Sequence, residues 1–327
     1  MFKRLLDLIR MFFTDRILFK YYFKHYLNST VSVKKAKKIS KKNDLEYENI
    51  KVSRYVIEIY DGSNQYTHPD CIKFNNKYWL IITPYPYGME AYENPCIYNS
   101  DSLTDMKQIF EAPISDQKVI RRRQHLSDPF FCINDDTLIA LYRRNEFENG
   151  KPIVRVDYRI IDSNLKLNEE KNLISTTDDL LSPFMIKNEN KFIFQYMNKT
   201  SDGSDIIEII YDDKFNVIEK NTVKAVGFPE NYYFWHFGIN HECKDDNIGG
   251  LILIRNKQNE KDFVLCNAKY DVKNKEWTYV NTVNIPDEIK NELSHIYKSC
   301  YIPDTNKILL SIHDKKRRYY CSLIENN

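Results

Sequence analysis

From about residue 50 onward the chain repeats one grammar: a short polar motif, an apolar run of strand length, a turn, and a second apolar run. One unit is HPDCIKFNNKYWLII at residues 68–82; it returns as LSDPFFCINDDTLIA at 126–140 and LSPFMIKNENKFIF at 181–194. Looser copies begin at Trp235-His236 and at Tyr297-Lys298-Ser299. With Asp70, Asp128, Ser182, His236 and Ser299 as equivalent marks, the spacings are 58, 54, 54 and 63 residues. Runs of four to eight apolar and aromatic residues, bounded by Asn, Asp, Lys and Ser, read as strands, so the body is all-β. Five units of about four strands each predict a five-bladed β-propeller, with the five polar motifs converging on one central funnel. Only 8 glycines are present, so Asn and Asp are expected to supply the left-handed turn positions, as in Phe74-Asn75-Asn76-Lys77.

The motifs His68-Pro69-Asp70, Tyr92-Glu93-Asn94-Pro95, His125-Leu126-Ser127-Asp128-Pro129, Leu181-Ser182-Pro183, Trp235-His236 and Tyr297-Lys298-Ser299 occur in order at blade spacing. In this the chain resembles the five-bladed β-propeller glycoside hydrolases of the family 43 type, and more closely a bacterial and phage branch carrying HPD, YENP, LSDP and WH motifs. The resemblance spans roughly residues 50–325. It implies Asp70 as general base and Asp128 as the carboxylate that orients the acid and raises its pKa. The family's Glu-Gly-Pro motif, which carries the general acid, is matched here by Leu181-Ser182-Pro183, and neither Leu nor Ser can fill that role.

Glycoside hydrolysis needs a second carboxyl group at a set distance from the first. Glu93, Glu230 and Asp178 or Asp179 are the loop candidates, with Glu93 ranked first because its loop leaves the strand that follows Asp70. That loop is rich in aromatic residues, and Tyr85, Tyr87 and Tyr92 are candidate platforms for the apolar face of a sugar. Asp70 and Asp128 have an alternative as acceptors for turn amides. His236 is either a buried structural imidazole or a ligand-binding or acid–base group. His68, His125, Ser182 and Trp235 join the expected substrate-binding set, as does Arg123, from the cluster Arg121-Arg122-Arg123 suited to a phosphate or carboxylate. No cofactor and no metal is expected, a shared metal on His68, His125 and His236 being the lesser reading.

The charge distribution separates a second part of the chain. Residues 1–42 hold 12 Lys or Arg and two Asp, a charge of +10 against a total of +2, so the remaining 285 residues carry about −8. Phe2–Tyr26 reads as amphipathic helix with a basic face, followed by a lysine-rich linker, giving a division into residues 1–44 and 45–327. Such a segment suits an anionic membrane surface or packing against the body. A weakly charged whole argues against a nucleic-acid partner. Seven dispersed cysteines without zinc spacing, and no uninterrupted apolar leader, place the chain in the cytoplasm, with a peripheral position at the inner membrane face. The expected function is that of a glycoside-hydrolase-like protein, a glycosidase or glycan transferase, acting on a glycan or glycoconjugate in the funnel, including surface-polysaccharide metabolism. The alternative is a glycan-binding or scaffolding propeller without catalysis.

Overall fold

The structure, a computed structural model, describes residues 54–55, 65–85, 93–102, 107–109, 114–115, 125–148, 151–241, 246–315 and 318–326. The expected N-terminal helix and linker, Tyr87, Tyr92, Arg123 and Cys243 lie outside these residues.

The described chain is almost entirely strand. A short first strand, β1 (Arg54–Tyr55), is followed by a four-stranded antiparallel meander of β2 (Tyr66–Phe74), β3 (Lys77–Pro84), β4 (Cys96–Ser100) and β5 (Lys107–Gln108). A second meander holds β6 (His125–Asn134), β7 (Thr137–Glu148), β8 (Lys151–Ile161) and β9 (Lys171–Thr176). An eight-stranded sheet then combines β10 (Leu180–Asn188), β11 (Lys191–Thr200), β12 (Gly203–Tyr211) and β13 (Val217–Val226) with β14 (Tyr232–Ile239), β15 (Asn247–Asn256), β16 (Phe263–Asp271) and β17 (Glu276–Thr282). Its two meanders are joined into one sheet at their last strands, where β13 and β17 run parallel through Lys224–Val226 and Glu276–Thr278. After a single helical turn and a half, α1 (Asp287–Glu292), the last sheet contains β18 (Leu293–Ile296), β19 (Cys300–Ile302), β20 (Lys307–Asp314) and β21 (Tyr319–Glu325). Its outer edge is β1, so the beginning and end of the described chain pair with each other.

Local chemistry explains the tight meanders. Between β2 and β3 the Phe74↔Lys77 pair is closed by Asn75 and Asn76 at φ 50° and 59°, the mirror-image turn that the strand twist favours. The equivalent turn after β6 uses Asp135 at φ 51°. After β10, however, the left-handed residue is Glu189 at φ 53° rather than Asn190.

Packing between sheets follows chain order and then returns to the start. Ile72, Trp79 and Ile81 of the first meander share a core with Phe131, Leu138 and Ala140 of the second. Phe130 and Leu141 continue into Phe184 and Phe194, and these into Phe237, Ile252 and Trp277. Leu251, Leu253 and Leu265 pack on Ile296, Ile308 and Leu310. Finally Cys300, Leu309 and Cys321 pack on Tyr66, Leu80 and Cys96, which brings the ring round to its first meander. Each fully buried Leu, Ile or Phe in these seams contributes about 1.5–3 kcal/mol. The first strands of the meanders, β2, β6, β10 and β14, line the inside. No helix among the described residues is long and apolar enough to cross a membrane.

Candidate functional site

Each inner strand carries an irregularity at the same place. The register of β2 slips between Thr67 and Asp70, that of β6 between Ser127 and Phe130, that of β10 between Leu181 and Phe184, and that of β14 between Phe234 and His236. In the first three, the bulged residue precedes a proline and has a positive φ: His68 at 51°, Asp128 at 48° and Ser182 at 45°. A residue before proline normally stays extended, and a left-handed non-glycine residue costs about 1–3 kcal/mol. Three repeats of that strain at the axis mark the place where the inner strands are bent to aim side chains inward. The true equivalent of Asp128 in the first meander is therefore His68, two residues before Asp70, which corrects the alignment of marks taken from the sequence.

His68, Asp128 and His236 converge, offering ligand atoms that all lie within 4.8 Å of one another. His68 Nε2 is 3.6 Å, and His236 Nδ1 3.7 Å, from the same oxygen, Asp128 Oδ1. All three residues are buried. Among the described residues, Asp128 Oδ1, His68 Nδ1 and both ring nitrogens of His236 have no hydrogen-bond partner. Burial drives the two imidazoles toward neutrality, His68 down to about 4 and His236 well below its ordinary value. Burial, the largest single influence, opposes ionisation of Asp128 too, but the Arg143 guanidinium, 2.9 Å from Oδ2, together with His68, His236 and Lys298 outweighs it and holds the carboxyl well below the usual range. Two neutral imidazoles and one carboxylate with unfilled lone pairs make a donor set for a divalent cation. Tetrahedral coordination at ~2.1 Å places neighbouring ligands roughly 3.4 Å apart, close to the separations seen here. The residues present therefore fit a metal ion, which was only the lesser reading of the sequence and had His125 in the place of Asp128.

A polar shell supports these groups. Glu93 is buried, with Oε1 4.0 Å from His68 Nδ1 and Oε2 3.8 Å from His125 Nε2. His125 Nε2 faces Arg143 Nη2 at 3.1 Å and Asn145 Nδ2 at 3.0 Å, so it acts as their acceptor rather than joining the triad. The histidine grouping read from the sequence thus keeps His68 and His236 and replaces His125 with Asp128. Asp70 lies against different partners: its Oδ2 accepts from Phe131 N at 2.7 Å, and His241 Nε2 stands 3.0 and 3.1 Å from its two oxygens. Burial raises the Asp70 pKa, while His241, Lys298 and the Phe131 amide lower it, with the lowering prevailing. Lys298 is itself buried, donates to the Pro129 carbonyl, and is coupled to both Asp70 and Asp128.

Of the other candidates, Ser182 shares the strained geometry, but its Oγ accepts from Phe237 N at 2.8 Å and ties β10 to β14. Trp235 stands beside His236, ring centroids 5.8 Å apart. Tyr85 packs edge-on against Tyr319 and Tyr297 at 4.6 and 6.3 Å. Among the loop acids, Glu230 and Asp179 are exposed and Asp178 accepts from the Tyr196 hydroxyl at 2.7 Å, so Glu93 alone adjoins the cluster. Sequence reasoning missed Arg143, His241 and Arg255, and treated Lys298 only as part of a motif. The six cysteines among the described residues are buried.

No family model matches the chain, and no curated protein matches it. Solved structures do. An N-acetylgalactosamine deacetylase from F. plautii, solved with blood group B trisaccharide, is similar at TM-score 0.64 and 16% identity, over 80% of this chain and 90% of that one. An endo-1,4-beta-xylanase from Bacteroides thetaiotaomicron aligns at TM-score 0.57 and 12% identity, over 84% and 92% of the two chains. A GH43 endo-arabinanase from Bacillus licheniformis aligns at TM-score 0.51 and 13% identity, over 80% and 92%. At these identities the likeness is one of fold: the chain has the β-propeller-like architecture of glycoside hydrolases, as the sequence motifs led one to expect.

Proposed function

We propose that this chain is a five-bladed propeller that hydrolyses an acyl group, an amide or ester, from a sugar of a glycan or glycoconjugate, using a divalent cation on His68, Asp128 and His236. The observation that carries the reading is the imidazole at the first pre-proline position. A glycosidase would need paired carboxylates there, whereas His68, Asp128 and His236 offer a three-ligand set with open positions on the cation. Counting the two halves of the eight-stranded sheet separately supports five blades. The fold is shared by glycosidases and by a sugar deacetylase, so both bond types are within its range.

Such a cation would polarise the acyl oxygen and acidify a water molecule. The water oxygen then bonds to the acyl carbon, the carbon–nitrogen or carbon–oxygen bond breaks, and the water's proton passes to the leaving amine or alcohol. Glu93, with Oε1 4.0 Å from His68 Nδ1, would relay that proton. Asp70, His241 and Lys298 form the supporting charge network rather than the reacting pair. The basic residues 1–42 would hold this activity at an anionic membrane surface in the cytoplasm, which sedimentation with anionic and neutral vesicles tests directly.

The decisive experiment incubates the full chain, with Zn²⁺, Mn²⁺ or after chelation, with N-acetylated, O-acetylated and unmodified oligosaccharides. Metal-dependent acetate release, abolished in His68→Ala and His236→Ala, is the expected result. Shortened oligosaccharides without acetate would return the chain to glycosidase chemistry through Asp128 and Glu93. Saturable binding with no product would make it a glycan-binding propeller.

A further inference from the structure

One flank of the axial site holds a buried cation that no carboxylate among the described residues pairs with. Arg255, on β15, is 8% exposed. Its guanidinium carbon sits 3.7 Å from the centre of the Trp235 ring, and Lys199 Nζ lies 5.0 Å from the same ring. Among the described residues no carboxylate comes within ion-pairing distance of Arg255. Its Nη2 meets His295 Nδ1 at 3.5 Å, and Tyr233 accepts a further hydrogen bond from it. Its Nε, Trp235 Nε1 and His295 Nε2 are buried without hydrogen-bond partners among the described residues. Glu260 acts on Arg255 from a distance, and its Oε1 accepts from the Tyr233 hydroxyl at 3.5 Å.

A guanidinium removed from water without an anion is costly, and stacking on an aromatic face returns only part of that cost. The arrangement is understandable if a ligand supplies the anion. A cavity of about 350 Å³ shares Lys199 and Tyr233 with this cluster and is lined also by Lys257, Asp202 and Glu260, with Arg255 and Trp235 behind its wall. Neither lysine has an ion-pair partner among the described residues. Tyr233 and Trp235, ring centroids 5.9 Å apart, join this cavity to the axis, because Trp235 abuts His236.

Resting on the hydrolase reading above, we propose that Arg255, Lys199 and Trp235 form a subsite for an acidic sugar, with a carboxylate substituent received by the Arg255 fork, which the indole backs, while the sugar ring extends along the Lys199 side of the cavity. A planar guanidinium pairs two-pronged with a carboxylate, and Lys199 adds a point charge at the rim. The substrate is then an acidic glycan in which a uronic-type residue neighbours the acylated one.

The test uses calorimetric titration of the full chain with a tetrasaccharide alternating glucuronate and N-acetylglucosamine, and with the same tetrasaccharide methyl-esterified on its carboxylates. The acidic form is expected to bind about 10- to 100-fold more tightly, and Arg255→Gln to erase that preference. Lys199→Gln, at a half-buried rim position, should weaken only the acidic form, by several-fold, and guards against a buried variant that fails to fold. Equal affinity for both forms, or no binding of the acidic form, overturns the subsite. A sulfated tetrasaccharide without uronate and N-acetylglucosamine 6-phosphate form two further arms, and preference for either would replace the carboxylate. Acetate release is followed in the same mixtures: selective binding without acetate sinks the hydrolase reading alone, and acetate without selectivity sinks the subsite alone.

Discussion

Asp128 uses its two carboxylate oxygens for different purposes: Oδ2 lies 2.9 Å from Arg143 Nε, whereas Oδ1 faces His68 and His236 at 3.6 and 3.7 Å without a hydrogen bond. Arg143 is held in turn by the Ser127 hydroxyl and the Leu180 carbonyl, so the carboxylate is anchored from one side and left open on the other. That asymmetry suits a group meant to meet a ligand rather than to close an internal ion pair.

Replacing Arg143 by Gln should therefore affect ligand affinity and stability together. Loss of an outer partner typically lowers metal affinity about 10- to 100-fold. Removing one member of a buried pair costs about 3–5 kcal/mol. Zn²⁺ titration and urea denaturation of the same preparation check both, and unchanged metal affinity in a folded variant would remove Arg143 from the site.

Gly238 is required by a close approach of backbones. A Cβ there would stand 1.9 Å from the Ser299 carbonyl oxygen and 3.0 Å from its carbon, so β14 could not keep its place beside the last sheet. Gly238→Ala should cost more than the ~1–3 kcal/mol of ordinary overpacking. At Gly249 the nearest atom is the Asn240 Cβ at 3.4 Å, and Gly249→Ala should be tolerated far better. Thermal unfolding of the two variants side by side distinguishes them, and equal melting temperatures would contradict the contact.

Stability should fall with acid from a pH at which most carboxylates are still ionised. Burial lowers His68 to about 4 and His295 to about 3, against 6.5 for an ordinary histidine. Between those values the unfolded chain binds protons that the folded chain refuses, so stability is fully present above about pH 6.5 and drains away toward pH 4. Each imidazole contributes roughly 2–3 kcal/mol across that window. Urea midpoints at pH 7, 6 and 5 should decline steadily, and His295→Phe should flatten the slope if it folds. A level profile over this range would show that these rings are not held neutral.

The ring of meanders was legible in the sequence because strand-length runs at spacings of 54 to 63 residues leave few alternatives. The contents of the site were only partly legible. Asp70 and Asp128 look equivalent when aligned on the acid, but the bulge is organised by the following proline, and X-Pro aligns His68 with Asp128 and Ser182. That signal was available at spacings of 60 and 54 residues. Arg143 and Arg255 were not legible, since each sits on a second strand, β7 or β15, where outward-facing and axis-facing arginines look alike until the register is known. His241 follows β14 in no motif, and only the packing of distant strands brings it to Asp70.

Asp70 offers a direct separation of support from catalysis. Its carboxylate accepts from Phe131 N and His241 and helps neutralise buried Lys298. Asp70→Ala would leave a buried amide, an imidazole and an ammonium short of an acceptor, a loss of about 3–5 kcal/mol. Asp70→Asn keeps an acceptor for Phe131 N and should retain measurable acetate release while losing stability. If Asp70→Asn is fully stable but inert, Asp70 is the reacting base that the family resemblance implies.

Metal binding should be visible as stabilisation before any substrate is known. A ligand that binds only the folded state adds about 2.7 kcal/mol at a hundred times its dissociation constant. The three donors come together only when separate inner strands are bent toward one another, so the folded chain binds more tightly than the scattered Cys and His side chains of the unfolded one. Addition of Zn²⁺ or Mn²⁺ to chelator-treated protein should therefore raise Tm, and Asp128→Asn should reduce the rise, because the amide lacks the charge. Ser182→Ala provides the contrast: it shares the bulge geometry, yet its hydroxyl bonds Phe237 N rather than facing the triad. It should lower the baseline Tm, through the lost bond of about 1 kcal/mol, while leaving the metal-induced rise intact. A rise that disappears in Ser182→Ala but persists in Asp128→Asn would place the cation elsewhere in the molecule and would detach the proposed chemistry from His68, Asp128 and His236.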